Sequence, residues 1–272
     1  MHEFDAYSPA EIAARVSAGG VTKARLPLTS LFLLGLLAGG FVGIGALYYT
    51  IVISDGALPF GLARVIGGIC FSLGLLLVVV CGAELFTGNI LIAMAWADGS
   101  ITLLELLRNW LIVCVANFIG AAGFATLVFL SGHWEMNGGA IGASYLKIAS
   151  AKVVLPFWKA FVLGILCNNL VCLAVWMSFA GRTVMDKFVG VILPISAFVA
   201  AGFEHSIANM YFFPMAMLLE MKGIYAQNGL NAITSADVVG NLAPVIAGNI
   251  VGGSLLVALI YWVIYRKNQR IG

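Results

Sequence analysis

The sequence predicts an all-α integral membrane protein, six transmembrane helices arranged as an inverted 3+3 repeat with spans 2 and 5 interrupted. Three observations lead there. Of the 272 residues, 62% are hydrophobic and only 10% are charged, far from the averages of soluble domains. Six apolar runs each reach the roughly 20 residues that a bilayer crossing takes. The polar string Gly202-Phe-Glu-His-Ser-Ile-Ala-Asn209 repeats the Gly-x-Glu-x4-Asn spacing of Gly82-Ala-Glu-Leu-Phe-Thr-Gly-Asn89. Ionisable groups at bilayer depth are costly, and a pair of interrupted apolar segments in matching halves marks a transport site.

Each element has its own justification. In residues 1–25, Ser8, Pro9 and Glu11 form a capping box with proline at the first helical position, and Ile12 and Val16 share a face. That predicts a short amphipathic helix lying at the cytoplasmic interface. Span 1, Leu26–Ile53, carries Gly35, Gly39 and Gly43 at four-residue spacing, a small-residue face for close helix packing. Span 2, Leu62–Trp96, exceeds what a bilayer needs and holds Gly82, Gly88 and Asn89, which permit unwound backbone. Span 3 is Asn109–Leu130, span 4 Val153–Ala180, and span 5 Phe188–Leu219, interrupted at Glu204–Asn209 with Pro214 beyond. Span 6, Asn241–Tyr265, leads into a tail, 266–272.

The chain therefore reads as one transmembrane domain, with repeat 1 at 26–130 and repeat 2 at 153–265. Phe32-Leu-Leu-Gly35-Leu-Leu37 aligns with Phe161-Val-Leu-Gly164-Ile-Leu166, and Asn109-x7-Asn117-x2-Gly120 with Asn241-x7-Asn249-x2-Gly252. Units with an odd number of crossings insert with opposite orientation, hence the inversion. Six spans put both termini on one side. That side, with the second and fourth loops, carries Arg15, Lys23, Arg25, Arg108, Arg182, Lys187, Arg266, Lys267 and Arg270. The other side has Arg64, Lys147, Lys152, Lys159 and Lys222, so the richer side is cytoplasmic. Cys70, Cys81, Cys114, Cys167 and Cys172 all fall within spans, without a Cys-x-x-Cys, and read as small packing hydrophobes.

The repeat also sorts the polar residues. Glu84 pairs with Glu204, Asn89 with Asn209, and Asn117 with Asn249. A role shared by both copies is most simply structural, supplying hydrogen bonds where helices break. The copies differ at His205, opposite Leu85, and at Thr87, opposite Ile207, and function is expected at that difference. Burial disfavours a charged imidazole and a neighbouring anion favours it. A protonated ring offsets an arriving carboxylate's charge, and handing over its proton leaves two neutral partners. Protonating a carboxylate of pKa about 3.7 at neutral pH costs roughly 4–5 kcal/mol. A bare charge at mid-bilayer costs about 10 kcal/mol or more in simulations.

With these motifs in view, the chain resembles the formate/nitrite transporter family, and most its bacterial formate channels. The resemblance covers nearly the whole chain. It rests on Ala83-Glu-Leu-Phe-Thr87, on Leu163-Gly-Ile-Leu-Cys-Asn168 through Trp176-Met-Ser178, on Gly202 to Asn209, and on Asn241-Leu-x-Pro-Val-x-x-Gly-Asn249. It implies an aquaporin-like protomer in a homopentamer, with one pore per subunit in the bacterial inner membrane. The family's central histidine falls on His205, its facing threonine on Thr87, its flanking asparagines on Asn209 and Asn249, and its glutamate on Glu204. Its outer-vestibule lysine falls on Lys152, and its apolar constrictions on Phe71, Leu75, Leu85 and Phe198. A mobile loop at the cytoplasmic mouth would be Thr87–Asp98, including Gly88 and Asn89. The implied cargo is formate or a similar small monovalent anion, with protons in company. Nitrite and hydrosulfide are the alternative on the same scaffold.

Other classes fit less well. The paired Asn-Pro-Ala of water channels is absent. Ile141-Gly-Ala-Ser-Tyr145 looks superficially like a serine nucleophile, but it reads as a loop without a Gly-x-Ser-Gly element, so no enzyme activity is expected. Three histidines, with His2 and His133 outside the spans, make no polyhistidine metal centre, and no cofactor is expected. A net charge of +2 without a basic cluster gives no reason to expect a nucleic-acid partner.

Overall fold

A computed structural model describes residues 6–54, 56–224 and 232–267. His2, Arg270 and most of the 266–272 tail lie outside the described residues. Helix α1 is Pro9–Ala24, α2 Leu28–Ile53, α3 Phe60–Cys81, α4 Phe86–Asn89 and α5 Ala93–Ala97, the last two joined by a 3-10 turn, Ile90–Ile92. Then come α6 Leu103–Leu130, α7 Ala140–Val153, α8 Phe157–Ala180, α9 Val184–Ala201 and α10 Ser206–Met221. Helix α11, Ser235–Gly253, runs through a π-helical stretch, Ser254–Leu259, into α12, Ile260–Tyr265. Six of these segments are apolar and long enough to cross a membrane: α2, α3, α6, α8, α9 and the continuous Ser235–Tyr265.

Two devices start the six. Helices α2, α3 and α8 follow Pro27, Pro59 and Pro156, at φ −56, −56 and −60°. The proline ring fixes this φ, and its missing N–H breaks no ladder bond there. Helices α6, α9 and α11 instead begin with reciprocal capping boxes, Thr102 with Glu105, Thr183 with Asp186, and Thr234 with Asp237. Each places a carboxylate against the positive end of its helix.

Packing joins two similar sets. Helix α2 lies on α6 and α3, α8 lies on α11 and α9, and α3 against α9 with α10 against α6 unite them. At the tightest crossings, backbone meets backbone. A Cβ on Gly120 would run into the Leu36 carbonyl, and one on Gly252 into the Ile165 carbonyl, so only glycine fits. The glycine stripe of span 1 does face a neighbour, with Gly35 and Gly39 on Ala116 and Asn117 of α6 and Gly43 on Phe124.

Helix α1 has the capping box and the Ile12–Val16 face read from sequence, and that face is turned onto the protein. Ile12, Ala13, Val16, Ser17, Gly20 and Ala24 are buried, and the helix packs on α5, α6 and α8. Several expectations need correcting. Ile141–Tyr145 is not a loop but part of α7. The Thr87–Asp98 stretch is folded into α4, the 3-10 turn and α5, with Asp98 as cap. The breaks are also shorter than read. Gly88 and Asn89 are helical, as are Ser206 to Asn209, leaving only 82–85 and 202–205 outside helix.

Asp98 ties three of these parts together. It is fully buried and accepts hydrogen bonds from the Ser17 hydroxyl of α1, the Trp262 indole (2.9 Å) and the Arg266 guanidinium (2.9 and 3.1 Å). Burial pushes its carboxyl up, yet the bonds from Ser17, Arg266 and Trp262 outweigh that and hold it below the ordinary 3.8. A lowered carboxylate stabilises fully above its unfolded value, and that contribution is lost only as pH falls through the folded one. The knot therefore holds at any pH above about 4. A hydrogen bond to a charged group is worth about 1.5–3 kcal/mol, and Asp98 accepts several. Asp98→Ala is expected to lower the melting temperature in detergent clearly, and to do so equally at neutral and mildly acid pH. An unchanged melting temperature would dissolve the knot as a stabilising feature.

Candidate functional site

The two breaks are splinted in the same way. Gly82 and Gly202 end their helices at φ 77° and 76°, left-handed conformations that only glycine adopts cheaply. Glu84 N–H then donates to the Leu34 carbonyl (3.2 Å) and Glu204 N–H to that of Leu163 (3.3 Å). Asn117 accepts from Phe86 N–H (2.8 Å) and donates to the Gly35 (2.7 Å) and Glu84 (2.9 Å) carbonyls. Asn249 accepts from Ser206 N–H (3.0 Å) and donates to the Gly164 (2.9 Å) and Glu204 (3.0 Å) carbonyls. At each break one buried amide thus satisfies backbone that lost its helical partners, as burial demands.

Between the breaks stands His205, 4% exposed, its Nε2 3.0 Å from Oγ1 of the fully buried Thr87. Nδ1 caps α10, accepting from Ala208 N–H at 3.1 Å. With its Nδ1 lone pair engaged, the neutral ring carries its proton on Nε2 and donates to Thr87. One ring face stacks on Phe198, with centroids 5.7 Å apart and planes 16° apart. Cys172 donates from its thiol to the Thr87 carbonyl at 3.4 Å, fixing the other side of the contact.

A cavity opens on each side of this centre. The first, about 820 Å³, is lined by Leu75, Leu85, Glu84 and Asn89 below a rim of Arg15, Lys23, Arg182 and Lys187. The second, about 690 Å³, is lined by Phe71, Phe198, Glu204 and His205 with Arg64, Lys147, Lys152 and Lys159. Each wall carries four cationic side chains against a single carboxylate.

That carboxylate is paired in the same way in both, by one lysine and one asparagine, though Lys23 also donates to the Asn89 Oδ1 (3.2 Å). Lys23 Nζ lies 2.5 Å from Glu84, whose other oxygen accepts from Asn89 (2.7 Å). Asn89 also donates to Asn109 (3.0 Å), which donates to the Lys23 carbonyl (3.0 Å). In the second cavity, Lys152 lies 2.8 Å from Glu204, and Asn209 donates to Glu204 (2.7 Å) and Asn241 (2.8 Å). Asn241 closes the ring on the Lys152 carbonyl (2.9 Å). Both glutamates are 4% exposed. Burying a carboxylate so deeply is tolerable only when it is both paired and hydrogen-bonded.

Of the residues singled out from sequence, His205, Thr87, Lys152 and Glu204 come together. Phe71 and Phe198 line one cavity, and Leu75 and Leu85 the other. Asn209 and Asn249 stand behind the walls, bonded to protein groups and lining neither cavity. Sequence reasoning missed Lys23, the counterpart of Lys152, and the supporting roles of Asn109 and Asn241. The alignment of Asn109 with Asn241 was the available signal.

The comparisons with known proteins come from sequence and from structure. A family model described as formate/nitrite transporter matches residues 10–263. The formate channel FocA of Escherichia coli K12 is 45% identical, over 98% of this chain and 97% of that protein. A solved structure described as a pentameric formate channel with formate bound superposes with a TM-score of 0.80 at 40% identity, covering 88% of this chain and 98% of its own. Another, an FNT family ion channel, gives 0.83 at 26% identity, covering 93% and 98%. Six membrane-length helices in such company define a multi-pass membrane transport protein. The chain belongs to the formate/nitrite transporter family.

Proposed function

We propose that the protein is a channel for formate and related small monovalent anions in a bacterial cytoplasmic membrane. Five copies assemble with one pore each, and both termini face the cytoplasm. The carrying observation is the His205–Thr87 pair (3.0 Å) held between two cavities of matching positive charge. Excess cations concentrate anions at both mouths. The apolar pairs Leu75–Leu85 and Phe71–Phe198 strip water from whatever enters. The two halves form an inverted repeat in which α1 and α7 are the corresponding first elements, since each delivers its lysine to a glutamate in a break.

In the centre, a formate oxygen replaces Thr87 as acceptor of the Nε2 proton, and Thr87 turns its hydroxyl to the anion. Charging the ring requires a second proton on Nδ1, which displaces the Ala208 amide. The imidazolium then gives its Nε2 proton to formate, leaving formic acid and a neutral ring protonated on Nδ1. The formic acid then crosses the apolar pairs without a bare charge, and no charged ring is left behind. When the formic acid leaves and ionises, a proton returns to Nε2 as Nδ1 gives its own to solvent, which restores the neutral ring and the cap.

The test is uptake into proteoliposomes of purified protein at about pH 7.5 and about pH 5.5, spanning the ordinary histidine value. Formate uptake is expected without any cofactor, and faster on the acid side. Nitrite or hydrosulfide uptake without formate would keep the scaffold and change the cargo. Absence of uptake of all three would refute the channel reading.

A further inference from the structure

We infer that Arg64 is a positioning residue that sets the width of the Phe71–Phe198 constriction, and so the size of anion admitted. Within the proposed channel, Arg64 sits in the second turn of α3 at the wall of the Lys152 cavity, where a cation looks like one more attractor for anions. Each of its three nitrogens, however, is committed to protein through one N–H. Nε donates to the Ala200 carbonyl (3.0 Å), Nη2 to that of Val199 (2.5 Å) and Nη1 to the Tyr49 hydroxyl (2.6 Å).

Those partners are the backing of the two rings. Val199 and Ala200 are the next residues after Phe198 in the last turn of α9, where the outward carbonyls and the negative end of the helix dipole favour a cation. Tyr49, on α2, meets Phe71 edge-on at 6.5 Å and 85°. Phe71 meets Phe198 edge-on at 5.8 Å and 83°, and Phe198 stacks on His205 at 5.7 Å. One guanidinium therefore pins α2, α3 and α9 around a chain of rings that ends on the central histidine. A planar fork spreads its donors over three nitrogens and fixes their directions, so it spans three acceptors on two helices; an ammonium has three donors too, but gathers them on one atom without that geometry.

This inference rests on the formate reading, and the assay separates the two. Formate and acetate uptake are measured side by side in proteoliposomes of wild type, Arg64→Lys, Arg64→Met and Tyr49→Phe, each checked for assembly by size exclusion. Acetate differs by one methyl group, and an apolar site discriminates such a group by roughly tenfold or more. The expected result is an acetate-to-formate ratio raised about tenfold in Arg64→Lys and Arg64→Met, and less in Tyr49→Phe, which loses one of the three bonds. If Arg64 acts by charge, Arg64→Lys keeps the wild-type ratio and Arg64→Met lowers both fluxes together, which overturns the inference. If neither arginine variant assembles, Tyr49→Phe decides: a raised ratio supports the inference and an unchanged one sinks it. A wild type that carries no formate sinks the channel reading itself.

Discussion

Replacing His205 with phenylalanine is expected to cut formate flux by one to two orders of magnitude while the protein still assembles. Phenylalanine keeps the ring that stacks on Phe198 but removes the Nε2 donor facing Thr87. A hydrogen bond to a charged group is worth about 1.5–3 kcal/mol, which is roughly 10- to 150-fold in rate. It also removes the Nδ1 cap on Ala208, an N-cap loss of about 1 kcal/mol that assembly can absorb. His205→Asn isolates the acid-base part, because asparagine is a strong N-cap with a neutral donor. That variant is expected to carry formate with little difference between about pH 7.5 and about pH 5.5, the interval in which an ordinary histidine titrates. If the asparagine variant kept the wild-type pH response, proton transfer at His205 would be ruled out. Loss of the oligomer in both variants would reassign the histidine to folding.

The second large effect is expected at Lys152. Its ammonium neutralises a glutamate that is 4% exposed, so Lys152→Ala leaves a buried carboxylate with only Asn209 for company. Breaking one side of such a pair costs about 3–5 kcal/mol. It also leaves a negative charge beside the path of a negative cargo. Low yield and near-complete loss of formate uptake are expected together. The double variant Lys152→Met, Glu204→Gln removes the charge mismatch. It is expected to recover yield and melting temperature without recovering uptake at low formate concentration. Wild-type uptake by Lys152→Ala would exclude the lysine from the anion path. Recovery of both properties in the double variant would make the pair purely structural.

Much of this arrangement was legible because bilayer chemistry leaves few choices. The spans follow from apolar length, and the breaks follow from glycine and carboxylate at depth. His205 and Thr87 stood out where the two Gly-x-Glu-x4-Asn strings differ, and the family resemblance put them face to face, where they meet at 3.0 Å. Helix ends were less legible for a physical reason. An apolar run reports where lipid begins, whereas a helix begins at its cap. Runs starting near Asn109, Phe188 and Asn241 therefore missed Thr102, Thr183 and Thr234, whose capping boxes start the helices earlier. The Thr-x-x-Glu and Thr-x-x-Asp signatures were present in the sequence. Lys23 was hidden differently. It lies 61 residues before Glu84, while Lys152 lies 52 before Glu204, so an alignment of spans alone does not bring the lysines into register. Helix α7, with its glycine, serines and lysines, looks like a connection until its buried face of Ile141, Tyr145, Leu146 and Ala149 is seen packed.

The duplicated lysine–glutamate–asparagine ring has an electrical meaning on the proposed reading. An asymmetric entrance makes a diode, passing current more easily one way than the other. Here the same ion pair and the same amide relay stand at either mouth, with equal tallies of charge on the two walls. Matched mouths give neither direction of entry an advantage. The sign of the net formate flux is then set by the gradients across the membrane, and the protein serves as an exit or an entrance as the supply of anion reverses.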